Sequence, residues 1–438
     1  MDESKNVATG SGGNPADGGD TGRRAGRKGM SLHNLRTFDS LKNPAYRLYW
    51  TNMMGYTAGM NMEILARNLL IWELTESPTI LGLKSLALAL PMLVFSLLGG
   101  VIADRILKNH VILAGQLVSA AISLSIALSL TFGYLGFDDS GSWWILIVAA
   151  AGQGTVMSLM MPSRQAMVYE IVGGEQVLNA VSLNTAAMSG MRVLGPALAG
   201  FLIDTVDYAN TYFIITGLYL VSSLLILFLP RTSPTALGGQ GAISNIKAGI
   251  AYVRQEKVLL IILLFGLVGI ILATPYMTLM PIVASEILGV GATGLGLLMM
   301  FIGIGAIAGS LVLASLPDRN RGRLLLISAV CLAVSLIGFA FSTTWYVSLS
   351  LLILVGIGQT GLIATAVTVL QDYSRDEYRG RVMSIFMMEV GLMGLGGFAA
   401  ALITEVVGVQ WVIGGAAMAL ASLSVLAAAF VPRLRNLD

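Results

Sequence analysis

Four charged side chains stand inside stretches that are otherwise apolar: Glu63, Arg67, Arg192 and Glu389. Glu63 and Arg67 are four residues apart, so one helix face carries both and they can pair. Burial disfavours the charged form of a carboxylic acid, and a neighbouring arginine favours it. An acid whose arginine partner moves can therefore take up and release a proton. The rival reading is a static pair that locks the helices of Glu63 and Arg192 together. Charges inside lipid are costly and are functional candidates by default. Lys84 is set aside, because a lysine near a helix end can reach the interface with its long stem.

The remaining chemistry-bearing residues point away from catalysis. No Gly-rich phosphate loop with its lysine is present, so ATP is not the expected energy source. No nucleophile–base arrangement stands out. His33 and His110 lack ligand spacing, and Cys331 has no second cysteine to pair with. The expectation is a protein that is not an enzyme, holds no cofactor or metal, and binds no nucleic acid.

The elements that must position these charges follow from composition. The chain has 438 residues, 55% hydrophobic and 11% charged, against about 25% charged in a soluble protein. Its expected solvent is lipid. Apolar runs long enough to cross a bilayer recur near 49–74, 80–103, 110–134, 143–163, 180–203 and 210–230. A second set falls near 258–284, 291–316, 324–342, 345–370, 382–404 and 410–431. Between the sets, Ile243, Ile246, Ile250 and Val253 have helical spacing, which predicts an interfacial amphipathic helix within 231–257.

Charge placement tests this layout. Of 26 lysines and arginines, Arg67, Lys84 and Arg192 fall inside spans. All others lie in the tails or in the loops after spans 2, 4, 6, 8 and 10. The alternate loops hold none and carry acids such as Glu76, Asp138, Asp139 and Asp207. Basic residues stay on the cytoplasmic side, so both termini are expected there and the span count is even. Paired stretches recur about half a chain apart: Asp104-Arg105 with Asp318-Arg319, and Gly152-Gln153-Gly154 with Gly358-Gln359-Thr360. Two related halves place a substrate cavity between them at mid-membrane depth.

The loop Gly100-Val-Ile-Ala-Asp104-Arg105-Ile-Leu-Lys108 resembles the signature of the major facilitator superfamily, and the resemblance extends from Leu41 to Arg433. Lys42-Asn43-Pro44-Ala45-Tyr46-Arg47, Leu74-Thr75-Glu76-Ser77-Pro78, Pro162-Ser163-Arg164-Gln165-Ala166, Gly195-Pro196 and Arg379-Gly380-Arg381 are similar to the bacterial enterobactin and macrolide exporter branch. The resemblance implies a cytoplasmic gate formed by Gly100, Asp104, Arg105 and Lys108, with Asp318, Arg319, Arg379 and Arg381 as its second-half counterpart. A surface pair that only fixes topology is the alternative. Ile106-Leu107 and Asn109-His110 depart from the usual basic run. Gly190, Gly195, Pro196 and Gly200 resemble the family's antiporter motif, with wider spacing; close helix packing explains them equally well. Ala150 stands where the family's span-4 motif has arginine. Either Arg192 supplies that charge or proton coupling is absent.

Asn61, Gln153, Tyr276 and Gln359 are the polar candidates for the cavity wall, unless they bond between helices instead. The methionines of spans 1 and 4, among them Met53, Met60, Met157 and Met160, suit a pliable apolar site, or are ordinary filling. The expected architecture is an all-α membrane protein of twelve transmembrane helices in two pseudo-symmetric six-helix halves. Residues 1–40 form a cytoplasmic tail, 41–230 the first half, 231–257 the linker, 258–432 the second half and 433–438 a tail. The expected function is export of a small amphipathic molecule by proton antiport, by a monomer in contact with membrane lipids in a bacterial cell membrane. The alternatives are an uptake carrier or uniporter, or a non-transporting receptor or scaffold.

Overall fold

The computed structural model describes residues 38–136, 141–229, 242–317 and 319–437. Side chains are described for these except 96–105, 174–175, 242–247 and 390. The described residues form helices and no strands. That is the physical answer to lipid, where every backbone donor and acceptor must be satisfied within the chain.

Span 1 is Pro44–Thr75. Its start is written locally: the Asn43 side chain accepts hydrogen bonds from the backbone of Ala45 at 3.0 Å and Tyr46 at 3.4 Å, and Pro44 needs no donor partner at the first turn. It ends at Glu76, in the left-handed region with φ 45°. Span 2 is Pro78–Arg105 and span 3 Lys108–Thr131. A continuous helical stretch, Trp144–Leu227, follows. Straight, it would be about 126 Å long. It breaks instead at Gly173 and Asp207, both at positive φ with extended ψ, and yields spans 4, 5 and 6 at 144–173, 174–206 and 208–227. Span 1 touches all three arms: Tyr49 Oη donates to Arg164 O, Tyr46 Oη to Ala180 O, and Tyr219 Oη to Glu63.

Span 7 is broken. Lys257–Ala273 gives way to Pro275–Ile282, with a wider turn at Val283–Ile287. Pro275 cannot donate to the preceding helix, which explains the break. Spans 8, 9 and 10 are Ala292–Ser315, Arg321–Phe341 and Trp345–Tyr373. Span 11 runs through Asp376–Gly391 and Met393–Val407, and span 12 is Val409–Phe430. Among the described residues, ten stretches are long and apolar enough to cross a membrane. We read twelve passes by dividing 176–227 at Asp207 and adding span 1, whose Asn52, Asn61, Glu63, Arg67 and Asn68 lower its hydropathy. Large apolar side chains such as Val94, Phe201, Leu224 and Phe430 are exposed on the surface, as lipid-facing residues must be.

A linker helix, Ala242–Gln255, precedes span 7. Its Gly249 packs against Arg381 and Ile385 of span 11. Tyr252 stacks on Tyr378 at 4.3 Å between ring centroids, and its hydroxyl accepts from Arg375 N. The predicted amphipathic helix is therefore present, and one face docks on span 11.

Spans 1–6 and 7–12 meet at one end of the bundle. Asp204 of span 5 accepts a hydrogen bond from Thr293 N at 2.8 Å and so caps the start of span 8. Trp72 Nε1 donates to Ser285 Oγ at 2.7 Å, and Ser77 Oγ to Glu405 at 3.2 Å. Below these, glycines bring backbones together. A Cβ on Gly200 would stand 2.1 Å from Ala292 O, and one on Gly296 2.5 Å from Pro196 O. The last such contacts are Val193 with Gly303 and Leu93 with Gly391. All of this lies toward the ends that carry the loops after spans 1, 5, 7 and 11. A Cβ on Gly190, farther along span 5, would meet nothing within 4 Å. Gly200→Val should therefore cost about 1–3 kcal/mol by overpacking, read as a lowered thermal midpoint of the purified protein. Gly190→Ala should leave that midpoint unchanged.

Candidate functional site

The main cavity, of about 380 Å³, opens where spans 1, 4 and 5 part. Span 1 contributes Tyr49, Met53, Tyr56, Thr57 and Met60. Span 4 contributes Met157, Met160, Met161, Arg164, Gln165, Val168 and Tyr169, and span 5 Val181, Asn184, Thr185 and Met188. On span 5 these wall residues recur at intervals of three and four, so one helix face supplies them. Arg192 follows Met188 by four residues on that same face and is exposed. It sits beside Val193, where the two sets of spans first touch.

The wall is soft and aromatic, with polar hydroxyls and amides between the methionines. Arg164 is its one cation. Its guanidinium carbon lies 4.6 Å from the centre of the Tyr56 ring. Its Nη2 is buried and lacks a hydrogen-bond partner among the described residues. Sequence reasoning counted Arg164 as a loop charge. Span 4 continues as helix to Gly173, about two and a half turns beyond it, so the residue belongs to the wall. Its place between Pro162 and Gln165 was visible, but its helical setting was not.

A second polar cluster lies inside spans 1, 2 and 6, behind this wall, where the centre of the Tyr219 ring lies 5.3 Å from that of Tyr56. Glu63 and Arg67 are 2% and 3% exposed. Arg67 Nη2 pairs with Glu63 Oε1, and Tyr219 Oη donates to Glu63 Oε2 at 2.6 Å. Tyr212 lies beside the Arg67 guanidinium. The pair is thus tied to span 6, and not to span 5 as a lock with Arg192 would require. Gly59 allows the approach, since a Cβ there would stand 3.0 Å from the Tyr219 ring. Lys84 corrects a further expectation: it is 6% exposed and within electrostatic range of Arg67. It does not reach out to the interface. Glu73 and Tyr208 face each other nearer the closed end.

Glu389 stands in span 11, 6% exposed, with Oε2 buried and without a hydrogen-bond partner among the described residues. The oxygen faces Gly266 of span 7, where a Cβ would stand 3.3 Å from it.

The four polar cavity candidates lie off the wall of the main cavity. Asn61 Nδ2 donates to Thr57 O of its own helix at 2.8 Å. Gln153 is buried against Tyr56. Tyr276 Oη donates to Gln359 Oε1 at 3.2 Å and joins spans 7 and 10. Among the proposed gate residues, the side chains of Gly100, Asp104 and Arg105 and all of Asp318 lie outside the described residues. Lys108 is buried and pairs with Glu170 of span 4. Arg319 is exposed. Arg379 pairs with Asp376 at 2.9 Å, and the Arg381 guanidinium sits 5.1 Å from the Tyr378 ring. Gly195 meets Asn61 of span 1, and Pro196 and Gly200 meet span 8.

Arg67→Ala leaves Glu63 buried without its cation. The expected loss is about 3–5 kcal/mol, read as a large fall in the thermal midpoint of the purified protein. The double variant Glu63→Gln, Arg67→Gln should lose less, because no charge is stranded.

The transmembrane secretion effector family model matches residues 35–438. The multidrug efflux pump Tap of Mycolicibacterium fortuitum is 26% identical over 391 residues, 87% of this chain and 94% of that one. The staphyloferrin A transporter of Staphylococcus aureus (strain NCTC 8325 / PS 47) is 24% identical over 75% of this chain and 82% of its own. The enterobactin exporter EntS of Citrobacter koseri is 23% identical over 82% of this chain and 86% of its own. Among solved structures, the D-xylose-proton symporter superposes with a TM-score of 0.69 at 14% identity, covering 90% of this chain and 100% of that one. The nucleoside transporter NupG gives 0.68 at 14% identity, with the same coverage. These two likenesses show the fold alone. The helices and the family match over nearly the whole chain agree: this is a multi-pass cell-membrane protein that belongs to the transmembrane secretion effector family of major facilitator superfamily transporters.

Proposed function

We propose that the protein is a secondary-active exporter that carries a small amphipathic molecule by alternating access, coupled to inward proton movement. The single observation that carries this reading is the asymmetry of the bundle. Among the described residues, cross-contacts between spans 1–6 and 7–12 gather at one end, and the main cavity lies toward the other. With the lysine- and arginine-rich loops in the cytoplasm, the closed end is external and the cavity is open to the cell interior. A cargo would enter from the cytoplasm, and rocking of the two halves would release it outside. The exporter and efflux names of its relatives support this direction. The two six-span halves, 41–230 and 258–432, are the bodies that would move, in a monomer.

Glu389 is the first candidate for the proton carrier. Its carboxyl is buried, faces span 7 and has no hydrogen-bond partner for Oε2 among the described residues. Glu63 is the second. It is held by Arg67 and Tyr219 within one half, so a change of its partners requires rearrangement inside that half. Asp104, Arg105 and Lys108, with Asp318, Arg319, Arg379 and Arg381, would close the cytoplasmic side once the external contacts part.

Reconstituted protein should move a cargo dye out of the compartment that faces its basic loops when a proton gradient is applied. Glu389→Gln should abolish the gradient-driven component by about tenfold or more while cargo binding persists. If both Glu389→Gln and Glu63→Gln retain full gradient-driven transport, the proton-coupling assignment fails. Accumulation on the basic-loop side would establish uptake instead.

A further inference from the structure

We infer that the cavity selects a cargo bearing an anionic group, held between Arg164 and Arg192, with its apolar body against the methionine wall. The inference rests on the reading that this cavity is the cargo site, and specifies the class of molecule it takes.

Charge balance carries the case. Among the lining residues of the main cavity there is no carboxylate, while Arg164 projects from span 4. Its neighbours are neutral: the Tyr56 ring face and the Tyr49 hydroxyl. One Nη remains buried and unpartnered among the described residues. Arg192 stands one turn beyond Met188 on the cavity face of span 5. It is exposed and forms no ion pair with a described residue. Guanidinium groups stay protonated at any physiological pH and match carboxylate, sulfonate and phosphate geometry. An uncompensated cation facing an apolar chamber is costly; a bound anion removes that cost.

The intramembrane acids that could neutralise these cations are engaged or turned away. Glu63 is committed to Arg67 and Tyr219. Glu389 points at Gly266 of span 7. Glu170, at the far end of span 4, pairs with Lys108. The rest of the wall fits the body of an amphiphile. Met53, Met60, Met157 and Met160 offer flexible thioethers that adapt to varied shapes, and Tyr49 and Tyr169 offer aromatic faces. A cationic amphiphile would meet the same wall, with the like charge of Arg164 and no acid among the lining residues.

Three probes with one shared tail test this: 1-pyrenebutyrate, 1-pyrenebutanol and 1-pyrenebutylamine. Binding is measured to the full chain in phosphatidylcholine nanodiscs, with empty discs subtracted. The butyrate should bind about tenfold more tightly than the butanol, as expected for one charge-assisted hydrogen bond, and the butylamine should bind most weakly. The double variant Arg164→Gln, Arg192→Gln should erase the butyrate preference, read as the ratio of butyrate to butanol affinity falling to about one. Arg164→Lys, which keeps the charge, should retain part of the preference and controls for folding. Equal binding of butyrate and butanol, or tighter binding of the amine, overturns the anion assignment while the cavity stands as cargo site. So does a butyrate preference that survives the double variant. Binding of none of the three overturns the cavity reading, and the anion assignment with it.

Discussion

A lipid interior has no water to solvate a charge or to complete a hydrogen bond, and most of the structure answers that one constraint. The backbone closes on itself as helix. Glu63 and Arg67 neutralise one another at one-turn spacing, and Tyr219 fills the second carboxylate oxygen from a neighbouring span. Either charge left alone would cost several kcal/mol. The pair is consequently a fixed point of the first half, around which spans 1 and 6 pack through Gly55 and Gly59. Where no compensating charge stands among the described residues, Arg164 and Arg192 lie on the cavity-side faces of their spans, and Glu389 lies against span 7 of its own half. Those are the places where a moving cargo or proton can complete the balance.

The second determinant is how closely backbones can approach. Between the two sets of spans, glycine positions leave no room for even a methyl group: Gly200 and Gly296 between spans 5 and 8, Gly82 and Gly394 between spans 2 and 11. With little hydrophobic drive between helices in lipid, such van der Waals contact and a few hydrogen bonds hold the ends together. Asp204 on the start of span 8 and Trp72 on Ser285 are single bonds across the seam. Inside each half, by comparison, the packing is continuous, with tyrosines such as Tyr46, Tyr212 and Tyr276 almost wholly enclosed.

Periodicity in lipid-facing sequences is weak, because a span is apolar almost all round, and this limits what residue order can say about a wall. The Glu63–Arg67 pairing was legible, since four-residue spacing needs no tertiary information. Its third member, Tyr219, is 156 positions away from Glu63 and carried no local mark. Gln153 and Gln359 stand out as polar residues in apolar runs, yet such residues more often bond between neighbouring helices, as Gln359 does with Tyr276. The methionines Met53, Met60, Met157 and Met160, conspicuous in the sequence of spans 1 and 4, line one cavity. Lys84 looked free to reach the surface because its distance from the helix end was short, but the neighbouring spans enclose it.

The sequence by itself determined the membrane class, the helical elements, the alternation of basic loops and the family, because these depend on composition, span length and motifs along the chain. The tertiary structure alone decided which faces of spans 1, 4 and 5 enclose the cavity, which ends of the spans the described cross-contacts hold together, and that Arg164 stands on a wall that carries no acid. Those outcomes depend on the rotation of each helix about its axis and on the reversals at Gly173 and Asp207. Both are set by contacts between residues more than a hundred positions apart, and local spacing carries no record of them.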